Sequence, residues 1–277
     1  MTRLFKRDAT LLIGSTSFRG LRISFTVKKT AKQEPNTAEI TVSNLSTESL
    51  AQIKQGVPVR LLAGYENTAA LIFSGDVRTA ETRKPGPDQE TLIRAADGDA
   101  AYRDNFITSN FAPGAGTTDV IGKIAGALGV DAGEAMAALK TKGVPGMRQY
   151  HRGTSVSGKA SQEMTRVLSA AGLEWSIQDG KLQILAPAEV APGTAILLTP
   201  DTGLVDSPEL NVTEESEKKG KRPLLKLKSL LQPEIRPGVA LQVQARGFRG
   251  LFRAENVEHT GDTYDQPWYT EIEARPL

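Results

Sequence analysis

The chain has 277 residues, 34 of them basic and 32 acidic, for a formal net charge of +2, and that length leaves room for two or three domains with ordinary cores. Such a balance argues against a surface dedicated to phosphate backbones. The absence of cysteine excludes a disulfide framework, a thiolate metal site and a cysteine nucleophile, and His151 and His259 are too few for a multi-histidine metal centre.

The start, Met1-Thr-Arg-Leu-Phe-Lys-Arg-Asp8, lacks a long apolar run, and no stretch approaches the ~18 apolar residues of a membrane span. The reading is a soluble, non-secreted chain. From Thr10 to about Asn44 three strands are expected, around Leu11–Gly14, Leu21–Val27 and Ala38–Leu45, with Lys28–Pro35 as a polar connection. Ser46 then caps a short helix that Gly56 stops. Three further strands follow, at Val57–Gly64, Leu71–Glu81 and Glu90–Asp97. Together they suffice for a small antiparallel barrel ending near Phe111.

The middle third changes period. Thr117–Gly129 places Val120, Ile121, Ile124 and Leu128 on one helical face behind a threonine cap. A second helix is expected from about Ser157 to Ala171, with Met164, Val167 and Leu168 inward. Leu173–Leu185 reads as a hairpin on an Asp179-Gly180 turn, with Leu173, Trp175 and Ile177 on one face and Leu182 and Ile184 opposite. Trp175 belongs to the core of this α+β module, which a Pro/Ala/Gly linker bounds after Pro187.

The last third returns to strands, interrupted by Glu214–Pro223, ten residues too polar to bury a face. This stretch is read as a mobile loop: a solvated hairpin tip, or a contact with an inner-tube ligand. The strands here echo the first third. Val57-Pro-Val-Arg-Leu-Leu-Ala-Gly, Leu71-Ile-Phe-Ser-Gly-Asp-Val and Glu90-Thr-Leu-Ile-Arg-Ala-Ala-Asp correspond to Pro237–Ala245, Gly250–Gly261 and Trp268–Ala274. A duplicated β-unit suggests assembly, since similar blades from several chains can close a ring. A barrel from about Leu11 to Phe111 should superpose on one from about Thr194 to Ala274, with the strand around Phe73 matching that around Phe252. The fold class is therefore mainly β with a smaller α+β module, two antiparallel β-barrels at 1–112 and 191–277 flanking a middle domain at 113–190.

Several patterns suggest chemistry and fall short of it. Gly153-Thr-Ser-Val-Ser-Gly158-Lys159 fits part of a phosphate-binding loop, but Ala160 stands where a hydroxyl should hold magnesium and no buried strand precedes it. Nucleotide binding is rejected, and the stretch is read as a glycine-rich entry to a capped helix. His259 and Asp262 could pair as base and orienting carboxylate, with Ser207, Ser216 and Ser229 as nucleophiles, yet none of these serines sits in a strained elbow. Glu271 and Glu273 share one strand face, where solvated or subunit-bridging charges are the usual outcome. No catalytic, cofactor-binding or metal-binding residue is assigned. Trp268, after the turn Gly261–Pro267, either locks that turn or enters a subunit contact, and is the candidate assembly contact.

Asn36-Thr-Ala-Glu-Ile-Thr-Val-Ser-Asn-Leu-Ser46 resembles a signature of baseplate hub proteins of contractile-tailed bacteriophages. Gly172–Leu185, Lys228–Gly238 and Val257–Ala274 support it in family order. The resemblance implies a non-enzymatic, structural homotrimer in which six tube-type units form a pseudo-hexameric ring. Such a ring adapts a six-fold tail tube, directly or through adaptor ring proteins, to a three-fold central spike. Tape-measure protein and then DNA would pass through its lumen without specific binding. The middle module would lie outside the ring or towards the spike. No cofactor and no membrane is implied, and the place of action is the virion tail baseplate, assembled in the host cytoplasm. At this length no appended lysozyme or other wall-degrading domain is expected. The competing readings are a tail-associated cell-wall hydrolase with Glu163 or Glu174 as acid, and a carbohydrate-binding module, for which 5% aromatic residues is few.

Overall fold

A computed structural model describes residues 6–66, 68–142, 146–211 and 224–277. In chain order the strands and helices are β1 (Arg7–Ile13), β2 (Thr16–Arg19), β3 (Ile23–Thr30), β4 (Asn36–Ser43), α1 (Thr47–Gln52), β5 (Pro58–Tyr65), β6 (Ala70–Arg83), β7 (Glu90–Asp97), α2 (Asp99–Arg103), β8 (Phe106–Phe111), β9 (Ala115–Gly116), α3 (Thr117–Leu128), α4 (Gly133–Lys142), β10 (Gln149–Tyr150), β11 (Thr154–Lys159), α5 (Ala160–Ala170), β12 (Glu174–Gln178), β13 (Lys181–Leu185), β14 (Ile196–Leu198), β15 (Glu209–Asn211), β16 (Leu224–Leu230), β17 (Ala240–Ala245), β18 (Phe248–Asp262) and β19 (Trp268–Pro276). By internal contacts the chain forms two units, one of 1–30, 36–96 and 190–277, the other of 31–35 and 97–189.

The first unit is built on one 13-stranded sheet. Its strands alternate buried and accessible residues, as in β4 with Asn36, Ala38, Ile40 and Val42 inward. Within the sheet the order β3-β4-β7-β6-β5-β1 is repeated by β15-β16-β19-β18-β17-β14. Each set has its own core: Leu11, Ile40, Leu61, Phe73 and Ile93 among others in the first, Leu225, Leu241, Val243, Ala254 and Ile272 in the second. The sets join where β3 pairs antiparallel with the C-terminal half of β18, Asn256–Asp262.

Hydrogen bonding fixes the correspondence residue by residue. Gly56 N–H donates to Val77 O and Val77 N–H to Val57 O; Gly238 N–H donates to Ala254 O and Ala254 N–H to Val239 O. A bulge follows immediately in both, between Val77 and Thr79 on β6 and between Ala254 and Asn256 on β18. Asn44 N–H to Gln89 O matches Leu231 N–H to Trp268 O. Thr91-Leu-Ile-Arg-Ala95 thus overlays Thr270-Glu-Ile-Glu-Ala274, with the threonine, isoleucine and alanine of each buried.

This register differs by two residues from the overlay of Phe73 on Phe252 that the sequence suggests. Val59 faces Gly75, and its equivalent Leu241 faces Phe252. Residues two apart share a face, so the large and small partners have exchanged places: a side chain on Gly75 would collide with the Phe73 ring, and Gly250 lies beneath the Phe252 ring. One charge pair is inverted as well. Glu39 on β4 accepts from Arg94 on β7 at 3.1 Å, whereas on the equivalent strands Lys226 faces Glu273. β14 runs parallel to β17 while β1 runs antiparallel to β5, and among the described residues β2 has no counterpart in the second set.

Some local expectations shift. The polar residues Lys28–Thr30 belong to β3, because Asn256–Glu258 supply their ladder partners. The helix expected from Ser157 begins at Ala160. β8 pairs with β11 and lies in the second unit, so the 97–111 stretch packs there. The α1 cap is as expected, with Ser49 N–H donating to Ser46 Oγ at 3.2 Å. Helix α3 buries Val120, Ile121, Ile124 and Leu128, and its first turn is closed by Asp119, whose carboxylate accepts from Gly116 N–H.

In the second unit the β12–β13 hairpin turns on Asp179 and Gly180 at φ +55° and +80°. The buried Asp97 carboxylate accepts from both of their N–H groups at 2.6 and 2.9 Å. Trp175 is buried there, stacked on Tyr102 with centroids 5.3 Å apart, and its Nε1 donates to Thr165 Oγ1. It is core, as read from the sequence.

Candidate functional site

Trp268 opens β19, yet its side chain belongs to the core of the first strand set. It is 2% exposed and meets Phe25 and Tyr65 edge to face, at 5.5 and 6.5 Å, with the Arg7 guanidinium over its ring at 5.6 Å. Gly261 makes this possible, because any side chain there would overlap the Phe25 and Trp268 rings. The turn Gly261–Pro267 is tied down by Asp262, whose carboxylate accepts from Arg22 at 2.9 Å and from the N–H groups of Tyr264 and Asp265. Burial alone would raise the Asp262 pKa; Arg22 and the two N–H groups outweigh it and hold the carboxylate below its ordinary value. Arg7 donates to Asp262 O and Asp265 O from the first strand. Trp268 therefore joins the two strand sets inside one chain.

The residues that suggested hydrolysis are not brought together. His259 is fully buried and shares a 2.9 Å hydrogen bond with Thr270 Oγ1, while Asp262 is engaged by Arg22. Burial, with Lys29 adding to it, lowers the His259 pKa to about 3, so the ring is neutral and closed off. Its equivalent in the first set is Thr82, whose Oγ1 lies 3.2 Å from that of Thr91. Ser229 Oγ is buried and donates to Leu230 O, and Ser207 is an exposed loop residue. Ser216 and the Glu214–Pro223 loop fall outside the described residues. Glu271 pairs with Lys228 at 3.1 Å, Glu273 accepts from Asn256, and Glu163 is held by Arg166. Glu174 is half-buried at the start of β12.

The phosphate-loop match is a strand. Residues Thr154–Lys159 form β11, paired along its length with Phe106–Phe111, so its backbone serves a ladder and makes no cradle. Among the described residues no group of three His, Asp or Glu side chains could hold a metal, and no helix is long and apolar enough to cross a membrane.

What the arrangement does offer is strand edge. The C-terminal half of β6, Thr79–Arg83, pairs with β7, while pairing with β5 ends at Asp76. All five of these residues are exposed. At the far end of the sheet β15 pairs with β16, and Leu210 on β15 is 54% exposed. Sequence alone marks neither place, since Thr79–Arg83 has no apolar face and β15 is three residues long.

No family model matches the sequence, and no curated protein matches it. Solved structures do. The 43 kDa tail protein of prophage MuSo2 from Shewanella oneidensis is similar over 98% of this chain and 98% of its own, with 11% identity and a TM-score of 0.67. A tail protein from Neisseria meningitidis MC58 is similar over 98% of this chain and 96% of its own, with 10% identity and a TM-score of 0.66. A component of the E. coli type VI secretion system, itself structurally similar to the T4 bacteriophage tail proteins gp27 and gp5, covers 96% of this chain over 76% of its own, with 11% identity and a TM-score of 0.62. The chain has the fold of these tail proteins.

Proposed function

We propose that this protein is the structural hub of a phage-tail baseplate. Three copies form a ring of pseudo-six-fold symmetry that joins the tail tube, or an adaptor ring, to the central spike and encloses the channel for tape-measure protein and DNA. The observation that carries the reading is the repeated strand order β3-β4-β7-β6-β5-β1 and β15-β16-β19-β18-β17-β14, each set with its own core in one sheet. Two equivalent units joined head to tail in one chain give a heterologous contact that closes when the rotation allows. A three-chain ring then shows six nearly equivalent units to a tube and three identical chains to a spike.

In this reading the chain comprises a first tube-type barrel domain, a middle α+β domain that takes in the 97–111 stretch, and a second barrel over 191–277. The role is non-enzymatic, in the virion tail, with assembly in the host cytoplasm. DNA crosses the lumen without specific contacts, and no membrane is involved. Trp268 serves assembly from within, by holding the two strand sets in register.

The test is the mass of the purified chain in solution, with class averages of the particles by negative-stain electron microscopy. A trimer with a central channel is expected. A monomer at all concentrations, or a closed assembly of two or four chains, overturns the ring. Clearing of a peptidoglycan suspension by the pure protein would overturn the non-enzymatic role.

A further inference from the structure

Within the chain, the two strand sets meet through edges that each set also carries elsewhere. Asn256–Thr260 of β18 lies between β19 and β3, and Val257 and His259 there are 2% and 0% exposed. Their equivalents on β6, Ala80 and Thr82, are exposed, with β7 on one side and, among the described residues, no strand on the other. On β3, Val27 is 0% exposed because β18 covers that edge. The position of β15 is the same: Lys226 faces Glu209 and Leu225 faces Leu210, in the places of Glu39 facing Thr26 and Ala38 facing Val27. Leu210 is therefore the counterpart of Val27, directed to the same face as the buried Leu225, and it stands 54% exposed.

We infer that these two edges are halves of one interface between copies of this chain: β15 of one protomer adds to the C-terminal half of β6 of the next, repeating the β3–β18 pairing made within each protomer. The inference rests on the ring reading above and adds which strands meet and in what register. Within the chain His259 faces Val27 and Thr260 faces Thr26. Carried to the equivalent residues, Thr82 faces Leu210 and Arg83 faces Glu209. The first pair covers the exposed leucine over a threonine that already touches Thr91, and the second sets opposite charges across the ladder. The charged side chains of Thr79–Arg83 could by themselves serve to protect a monomer's edge. They leave unexplained a leucine more than half exposed at the one position whose counterpart is wholly covered. Two edges open among the described residues, of complementary kind, are also what a head-to-tail ring requires and what a monomer or a two-fold dimer does not.

The chain has no cysteine, so engineered thiols are the only ones present. Directly opposed residues of an antiparallel pair have Cα atoms roughly 4.5–5.5 Å apart, within disulfide reach. The double variant Thr82→Cys with Leu210→Cys, concentrated and mildly oxidised, should give a covalent ladder ending at the closed trimer on a non-reducing gel. Thr82→Cys with Glu209→Cys, one residue out of register, puts the thiols on opposite faces and should give none. Leu210→Asp should raise the concentration for half-assembly roughly tenfold or more, with the circular dichroism spectrum unchanged. A trimer that assembles but does not cross-link, or cross-links equally in both pairs, overturns this edge assignment and leaves the ring standing. A covalent dimer that never extends overturns head-to-tail addition. A chain that stays monomeric overturns the ring, and this pairing with it.

Discussion

Acidification should loosen the second strand set through His259, and the size of the effect follows from its burial. The ring is 0% exposed, and burial, with Lys29 as a second cause, sets its pKa at about 3 against an ordinary 6.5. As pH falls below about 6.5 the unfolded chain takes up a proton that the folded chain refuses until about 3. The unfolded state thus binds more protons across that window, so stability falls with pH. The effect vanishes above 6.5 and is complete below about 3. One pKa unit corresponds to about 1.4 kcal/mol, so lowering the pH from about 6.5 to about 4.5 costs about 2–3 kcal/mol, a large part of the 5–15 kcal/mol typical of a domain. The informative variant is His259→Thr, the residue that the first set carries at the equivalent Thr82. Its lost packing is a cost that does not change with pH, and the carboxylates titrate alike in both proteins. Urea unfolding followed by circular dichroism, repeated between about pH 7.5 and about pH 4.5, should show the two stability curves converging by about 2–3 kcal/mol as the pH falls. Parallel curves would refute the reasoning.

Two further outcomes concern the Trp268 pocket. Trp268→Ala removes a side chain 2% exposed and packed on Phe25 and Tyr65, and should cost about 3–5 kcal/mol in urea unfolding. If Trp268 serves assembly, the yield of complete baseplates should drop even at temperatures where the isolated variant keeps its circular dichroism spectrum, and normal baseplates would count against that role. Gly261→Ala pushes a methyl group into the Phe25 and Trp268 rings and should cost about 1–3 kcal/mol, with Trp268→Leu in the same chain recovering part of that loss. Strict additivity of the two changes would show that the rings do not occupy the glycine's space.

The repeat is legible in the sequence because strands buried on one face alternate with period two, and Thr91-x-Ile-x-Ala and Thr270-x-Ile-x-Ala carry that alternation openly. Its phase is harder to read. Phe73 over Gly75 and Phe252 over Gly250 fill the same kind of space from positions two apart, so matching aromatic to aromatic misaligns the strands. Lys28–Thr30 reads as a connection because all three residues are polar; Lys28 pairs locally with Thr37 on β4, but the β18 residues that continue the ladder to Thr30 lie more than two hundred residues away. Trp268 stands out as an indole after a turn, but that it fills the core of the other strand set is a property of the long-range pairing. The strand reading extends to Glu81, but nothing in the sequence marks the end of β6 as a free edge, since its residues alternate neither in hydropathy nor in charge.

The inversion of one charge pair between the strand sets governs how the chain can go wrong while folding. Two sets that share a strand order and much of a buried pattern invite exchange, β4 docking on β19 or β16 on β7, in one molecule or between two. Exchange would set Glu39 against Glu273 and Lys226 against Arg94, like charges on neighbouring strands, while the two native pairings set Glu39 with Arg94 and Lys226 with Glu273. Opposite polarity at this one position thus favours each strand's own partner over its double while leaving the shared backbone pattern intact.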